Sequence, residues 1–177
     1  MKELIGDYES VVENINRGLE VSGIEREELA LLDHLCYRTE TLEEYKQVLK
    51  DFSGLGRNIG EVAVQGRPIS AIALDTPIKT GGWIIPFLEI AAPKDGSPYP
   101  SGLEHAEFVT VRLLEDFEQM HQDLNFIRDA MGRAINPELK FRENGISVKF
   151  HQLSIGSTIK IEDALVANGD DPQYTEN

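Results

Sequence analysis

Four residues have the types and placement to hold a metal ion together: His34, Glu89, His105 and His151. Each lies in an apolar run of strand character, and strand side chains alternate between faces. In residues 31–38, His34 shares a face with Cys36 and Arg38, while Leu35 and Tyr37 take the other. Glu89 stands between Leu88 and Ile90, His105 and Glu107 oppose Ala106 and Phe108, and Lys149 and His151 oppose Val148 and Phe150. Four strands therefore present apolar residues to one side and His, Glu, His and His to the other. An ionised Glu89 inside the run WIIPFLEIAA is costly to bury without a partner. A cation removes that cost, and imidazole with carboxylate suits Zn, Ni, Fe(II), Mn or Co. Singly, each residue has an ordinary explanation: a strand histidine hydrogen-bonded or at the surface, Glu89 paired with Arg38 or Lys149, His105 in an acidic patch with Glu104 and Glu107, His151 capping a loop. Their joint placement, on the first and last strand of two similar halves, favours a shared role. His121 has no such placement and reads as a helix-surface histidine.

The elements that must position these residues follow from periodicity. Leu4, Tyr8, Val11, Val12, Ile15 and Leu19 predict an amphipathic helix over 2–20, with a short helical stretch near 25–29. A strand over 31–38 is followed by a helix over 42–52, opened by a Thr41/Glu44 capping box and ended at Ser53-Gly54. Residues 62–64 and 69–74 read as strands joined by the turn Gln65-Gly66-Arg67. Residues 83–92 form a further strand that Pro86 marks as an edge or as bulged. The segment PKDGSPYPSG, 93–102, is a linker. Beyond it come a strand over 103–113 and a helix marked by Phe117, Met120, Leu124, Ile127 and Met131. Strands over 139–142 and 146–152 meet across Asn144-Gly145. Both halves thus share a β-α-β-β-β plan, the second with its second strand short or missing, which is a weak internal repeat. The division is an N-terminal helical extension (1–30), a first module (31–92), the linker, a second module (103–155) and a C-terminal tail (156–177) whose polar end from 168 reads as disordered.

The 177 residues carry a net charge of −14, which opposes binding to a phosphate backbone. No apolar run approaches a membrane span, and MKELIGDYES lacks the apolar core of a signal peptide. With Cys36 the one cysteine, no intrachain disulfide is possible, which fits a reducing, cytoplasmic setting. No nucleic-acid or membrane partner is expected. Gly54-Leu55-Gly56 and Gly81-Gly82 lack the strand-to-helix context of nucleotide loops.

The stretches LDHLCYR (32–38), VQGRPI (64–69), FLEIAAPKDGSPYPSGLEHAEF (87–108) and VKFHQLSI (148–155) resemble the vicinal-oxygen-chelate superfamily, and within it the YecM-like subfamily. That superfamily includes glyoxalase I, methylmalonyl-CoA epimerase, extradiol dioxygenases and antibiotic-resistance proteins. The resemblance implies an α+β fold. Its two βαβββ-type modules form a curved mixed sheet around a central cavity, with helices on the convex face and an extra N-terminal helix. It also implies metal ligands from the first and fourth strands of each module: His34, Glu89, His105 and His151. The usual fourth ligand is Glu, so His151 departs from the pattern and can instead stand behind a ligand. Four protein ligands leave two positions for a substrate's vicinal oxygens and favour isomerase, epimerase or lyase chemistry. His34, Glu89 and His105 alone would match the two-His-one-carboxylate triad of Fe(II) oxygenases. Glu107 is the candidate base, with an ion pair to Lys149 or Arg38 as its plainer role. Arg38 suits a substrate carboxylate or phosphate, and Lys149 and Tyr99 are further candidate substrate contacts. The function expected is that of a metal-dependent enzyme acting on a small oxygen-rich molecule, as monomer or homodimer. The competing readings are a small-ligand or metal-binding protein without turnover and an interaction protein whose histidines are structural.

Overall fold

Alternating apolar and polar residues along the strands build one sheet with a helix-covered face and a polar face. A computed structural model describes residues 1–64, 66–96 and 99–170. Helices α1 (Lys2–Ile5) and α2 (Tyr8–Val21) and a 3-10 turn (Arg26–Glu28) precede the first module. That module runs β1 (Leu29–Arg38), α3 (Leu42–Phe52), β2 (Gly56–Val64), β3 (Arg67–Thr80) and β4 (Trp83–Ala91). The second runs β5 (Gly102–Thr110), α4 (Leu114–Met120), β6 (Ile127–Ala130), β7 (Glu138–Phe141) and β8 (Val148–His151), and α5 (Ile155–Ala167) follows. The eight strands form a single curved mixed sheet in the order β2-β3-β4-β1-β5-β8-β7-β6. Each module contributes four neighbouring strands, with its own first strand innermost, so the expected fold class is observed.

The register carries the internal symmetry to the level of residues. β1 and β5 run antiparallel, and His34↔Glu107, Leu35↔Ala106 and Cys36↔His105 are successive pairs. A two-fold rotation about the Leu35/Ala106 pair exchanges His34 with His105 and Cys36 with Glu107. Cys36 pairs with Glu89 of the parallel neighbour β4, and Glu107 pairs with Lys149 of the parallel neighbour β8. The counterpart of Glu89 is therefore Lys149, and His151 lies two residues further along.

The main core forms where Leu32, Leu35, Leu88, Ile90, Phe108 and Phe150 of the sheet meet α2, α3 and α4. α3 begins where the Thr41 side chain accepts a hydrogen bond from the Glu44 N–H at 3.0 Å. The reciprocal half of the expected box is shifted: the Glu44 carboxylate accepts from the Glu40 N–H at 2.9 Å. Pro86 lies in an interior strand, opposite an irregularity in β3 between Ala73 and Ile78, so the missing N–H falls at a bulge and not at a sheet edge.

Several expected elements differ. The single first helix is two, broken at Gly6 with φ 81° and restarted by the Asp7 cap on the Ser10 N–H. The helix expected to reach Met131 ends at Met120, and Ile127–Ala130 is instead β6, paired antiparallel with β7. Leu124, Phe126 and Met131 still pack on the core from the connecting turn and strand, so apolar residues at helical spacing served a different backbone. The segment expected as a tail from 156 is mostly α5, opened by Ser154 capping the Ser157 N–H. The one residue it buries is Glu162, so it shows no amphipathic period to read. Gln65 of the expected turn, Ser97 and Pro98 of the linker, and residues 171–177 lie outside the described residues. Among the described residues no helix is long and apolar enough to cross a membrane.

Candidate metal centre

The polar face of the sheet borders a cavity of about 650 Å³, lined among others by His34, Glu89, His105, Glu107, Lys149 and His151. A β-bulge between Leu32 and His34 leaves Asp33 without a cross-strand partner on β5, and both Asp33 and His34 line the cavity. Asp33 Oδ2 accepts from His34 Nδ1 at 2.9 Å and from the backbone N–H of Ile155 at 2.7 Å. One carboxylate oxygen thus ties the first residue of α5 to the His34 ring. The other ring nitrogen, Nε2, is buried and has no hydrogen-bond partner among the described residues. It faces Glu107 Oε2 at 3.4 Å and Glu89 Oε2 at 3.8 Å. Burial favours the neutral ring, but the Glu107 and Asp33 carboxylates outweigh it and hold the His34 pKa well above the ordinary value. This point in the site is built for positive charge, whether a proton or a metal ion.

Glu107 is the hub. Its Oε1 accepts from His105 Nε2 at 2.9 Å and from Lys149 Nζ at 2.6 Å, and its Oε2 meets His151 Nε2 at 2.6 Å. Burial would raise its pKa, but Lys149, His34 and His151 hold the carboxyl well below its usual range. Burial opposes the Lys149 ammonium, yet Glu107, Glu138 and Glu89 push its pKa up. Glu138, buried at the start of β7, lies 3.4 Å from both Lys149 and Arg133 and 3.2 Å from Lys140.

Three groups of side chains have ligand atoms within 4.8 Å of one another: His34 with Glu89 and Glu107, Glu107 with Glu138 and His151, and Cys36 with Glu104 and His105. The metal ligands expected from sequence therefore all border one cavity but divide among these groups, joined through Glu107. Burial and Glu89 hold the Cys36 thiol well above its usual pKa. Arg38 pairs with Glu104, not with Glu89 or Glu107, and its Nε is buried without a hydrogen-bond partner. Its guanidinium sits 3.0 Å from the Tyr99 ring centre. Tyr99 is not part of the cavity wall; it stands against Arg38, which is. His121 lies 3.0 Å from Glu28 Oε1, closing the end of α4 onto the 3-10 turn, so it is tethered and only partly exposed.

Asp33 and Glu138 were not legible as site residues. Strict alternation sends Asp33 to the core face, and only the bulge turns it. Glu138 precedes the expected strand by one residue, although the pattern Glu-Leu-Lys-Phe extends the alternation to include it.

The family model for YecM protein matches residues 1–131. Among solved structures, the structural-genomics protein EC4020 is similar at 20% identity, with 85% of this chain and 86% of that one covered and a TM-score of 0.71. A variant of Streptomyces coelicolor methylmalonyl-CoA epimerase in complex with 2-nitronate-propionyl-CoA aligns at 14% identity over 70% of this chain and 96% of its own, TM-score 0.53. Methylmalonyl-CoA epimerase from Mycobacterium tuberculosis aligns at 14% identity over 72% and 90%, TM-score 0.52. These likenesses show that the chain shares its fold with methylmalonyl-CoA epimerases. A search of curated proteins finds no match.

Proposed function

We propose that this chain, which belongs to the YecM protein family, holds a divalent metal ion at His34, Glu89 and Glu107 and binds a small oxygen-rich substrate on it through two adjacent oxygens. The observation that carries the reading is His34 Nε2, a buried nitrogen with no hydrogen-bond partner among the described residues, aimed between two carboxylates. The other two groups have their charge answered already. Beyond Glu107, which two of the groups share, Glu138 is met by Lys149, Arg133 and Lys140, and Glu104 by Arg38. Glu89 meets no lysine or arginine within ion-pair distance among the described residues, only His34.

This set holds one imidazole and two carboxylates, in place of the expected His34, Glu89, His105 and His151. His151 and His105 each bond a different oxygen of Glu107, so they orient a ligand from behind it. Of Zn, Ni, Fe, Mn and Co, the oxygen-rich donors favour Mn or Fe. When bound, the ion polarises the substrate oxygens as a Lewis acid. Asp33 holds the His34 ring so that Nε2 points inward. Glu107, ionised and bonded by Lys149, His105 and His151, makes a poor proton acceptor and serves as ligand and charge instead of base. The protonated Lys149, two residues from His151, is placed to donate a hydrogen bond to a developing oxyanion. The likeness in fold to epimerases solved with acyl-CoA compounds supports chemistry of the isomerase, epimerase or lyase kind. The engagement of Glu107 by three donors favours a second reading, ligand binding without turnover; chelator-sensitive conversion of any hydroxy acid, keto acid or thioester would reject that reading.

Purification without chelator, followed by elemental analysis, tests the proposal. Near-stoichiometric metal in the wild-type chain and none in the His34→Ala, Glu89→Ala double variant is the expected result. Metal retained in the double variant overturns it.

A further inference from the structure

The cavity wall of the first module is graded along the strands. On β3, Ala71, Ile69 and Arg67 alternate onto the cavity, and their neighbours on β4 are Glu89 for Ala71 and Ala91 for Ile69. The metal end of this wall is Glu89 with His34. Its middle is a small apolar cluster of Cys36, Ile69 and Ala91 with Val62 and Val64 packed on it, separate from the main core. Its far end is cationic. Arg38, which pairs with Ala91 across β1 and β4, Arg67 and Lys94 all line the cavity there. Arg67 donates to the Ala92 carbonyl at 3.0 Å and to the Tyr99 hydroxyl at 3.4 Å. The Tyr99 ring lies under Arg38, so one aromatic residue aligns two guanidinium groups.

Three facts set this end apart in a chain of net charge −14. Among the described residues, neither Arg67 nor Lys94 has a carboxylate within ion-pair distance. Arg38 is paired with Glu104, but its Nε–H is buried without a hydrogen-bond partner. Elsewhere in the cavity, Lys149, Lys140 and Arg133 are each met by glutamate or aspartate, and Arg142 is a single cation there, unpaired among the described residues, whereas Arg38, Arg67 and Lys94 stand together. Uncommitted guanidinium and ammonium groups in a cavity mark a site for an anion, and planar guanidinium suits a carboxylate or phosphate.

We infer that the substrate of this site is an acid of extended shape: a pair of oxygens at the metal end, an apolar stretch over Ile69 and Val64, and a terminal carboxylate or phosphate held by Arg67, Lys94 and Arg38. The metal end of this inference rests on the proposed function; the anion end rests on the three cations alone. From Glu89 to Ala91 is two residues, and from Ala71 to Arg67 is four, so the two ends stand roughly 7–13 Å apart along the strands. A compound with about four carbons between its polar ends fits that span.

The test uses the full chain, loaded with Mn, and three probes by calorimetry: 2-hydroxyhexanoate, 2-hydroxyadipate, and 2,6-dihydroxyhexanoate phosphorylated on its terminal hydroxyl. All three chelate alike, and only the last two carry a terminal anion. The expected result is at least tenfold tighter binding of one or both anionic probes than of 2-hydroxyhexanoate, and the tighter of the two names the terminal group. The Arg67→Ala, Lys94→Ala double variant should lose that preference while its affinity for 2-hydroxyhexanoate and its metal content stay unchanged. Lys94→Glu, a charge reversal outside the strands, should lower the preference without disturbing thermal unfolding. Equal affinity for all three probes, failure of all three to bind, or a preference that survives both variants, overturns the inference. The metal content of the same samples keeps the two readings apart. A wild-type chain that takes up no metal refutes the metal centre, and the anion end is then decided by hexanoate against the uncharged hexanamide, with tighter binding of hexanoate and the same loss in the double variant expected.

Discussion

Replacing Glu107 by Gln tests whether this residue is the electrostatic keystone of the cavity floor. Lys149 Nζ lies 2.6 Å from Glu107 Oε1, and the two attract by about 6 kcal/mol at an effective dielectric of 20. Most of that attraction offsets desolvation, so the measurable quantity is the stability lost when one partner is removed. Gln presents an amide NH2 to neighbours that are themselves donors, His105, His151 and Lys149, and leaves the Lys149 ammonium facing Glu138 at 3.4 Å. Breaking a buried pair in this way costs about 3–5 kcal/mol. For a chain of this size that is a fall in Tm of roughly 6–20 °C. Guanidinium unfolding tracked by the single Trp83 and by far-UV dichroism, in chelator so that ion binding contributes nothing, measures it directly. The double variant Glu107→Gln, Lys149→Met removes the stranded ammonium and should recover at least half of the loss. Glu107→Gln within about 1 kcal/mol of wild type, or a double variant no more stable than the single one, would show that Glu107 is not the hub described.

Other residues give three more expected outcomes. Asp33→Asn keeps one acceptor for the Ile155 N–H but weakens the grip on His34, so Mn affinity by calorimetry should drop about 10–100-fold; unchanged affinity removes Asp33 from the site. Burial raises the Glu104 pKa, but hydrogen bonds and charge from His105 and Arg38 prevail and set it at about 2 against an ordinary 4.5. A depressed carboxylate contributes stability above its unfolded pKa and loses it as pH falls through the folded one. The gap in Tm between wild type and Glu104→Gln should therefore be full near neutrality, shrink below pH 4.5 and vanish towards pH 2; a gap independent of pH would contradict this. In Gly156→Ala the new Cβ would stand 2.6 Å from Phe87 Cζ, an overpacking of about 1–3 kcal/mol that should appear as lost hydrogen-exchange protection in α5 with the sheet amides unchanged.

The fold was legible where a local device and the periodicity agreed. Thr41, the apolar stripe to Phe52 and Ser53-Gly54 bound α3 as observed, and the strand cores of β1, β4, β5 and β8 follow from alternation alone. It failed where one pattern served two backbones. Phe117, Leu124 and Met131 have helical spacing, yet the chain turns after α4 and offers β6 as an edge strand to β7. α5 buries only Glu162, so no apolar stripe announces it. Within the site, His34, Glu89, Glu107 and Lys149 were visible because they interrupt apolar runs. Asp33 was hidden by a bulge, which no residue type nearby signals.

The choice of His151 as counterpart to Glu89 shows a deeper limit. The repeat is plain in the sequence, and it invites the assumption that equivalent strands carry equivalent chemistry. Register says otherwise: Glu89 stands beside Cys36 and Lys149 beside Glu107, so where one module places an anion the other places a cation. The two modules share a backbone plan and differ in charge. The second module answers Glu107 and Glu138 with its own lysines and arginine and needs no added ion. The first module offers His34 and Glu89, whose carboxylate no lysine or arginine meets within ion-pair distance among the described residues, and Glu107, reaching across the centre of the sheet, brings a second carboxylate to them. A cation bound there would belong to both halves at once, held by one module and completed by the other. On the proposed function, the joint between the modules would be the functional centre, and neither half alone would carry it.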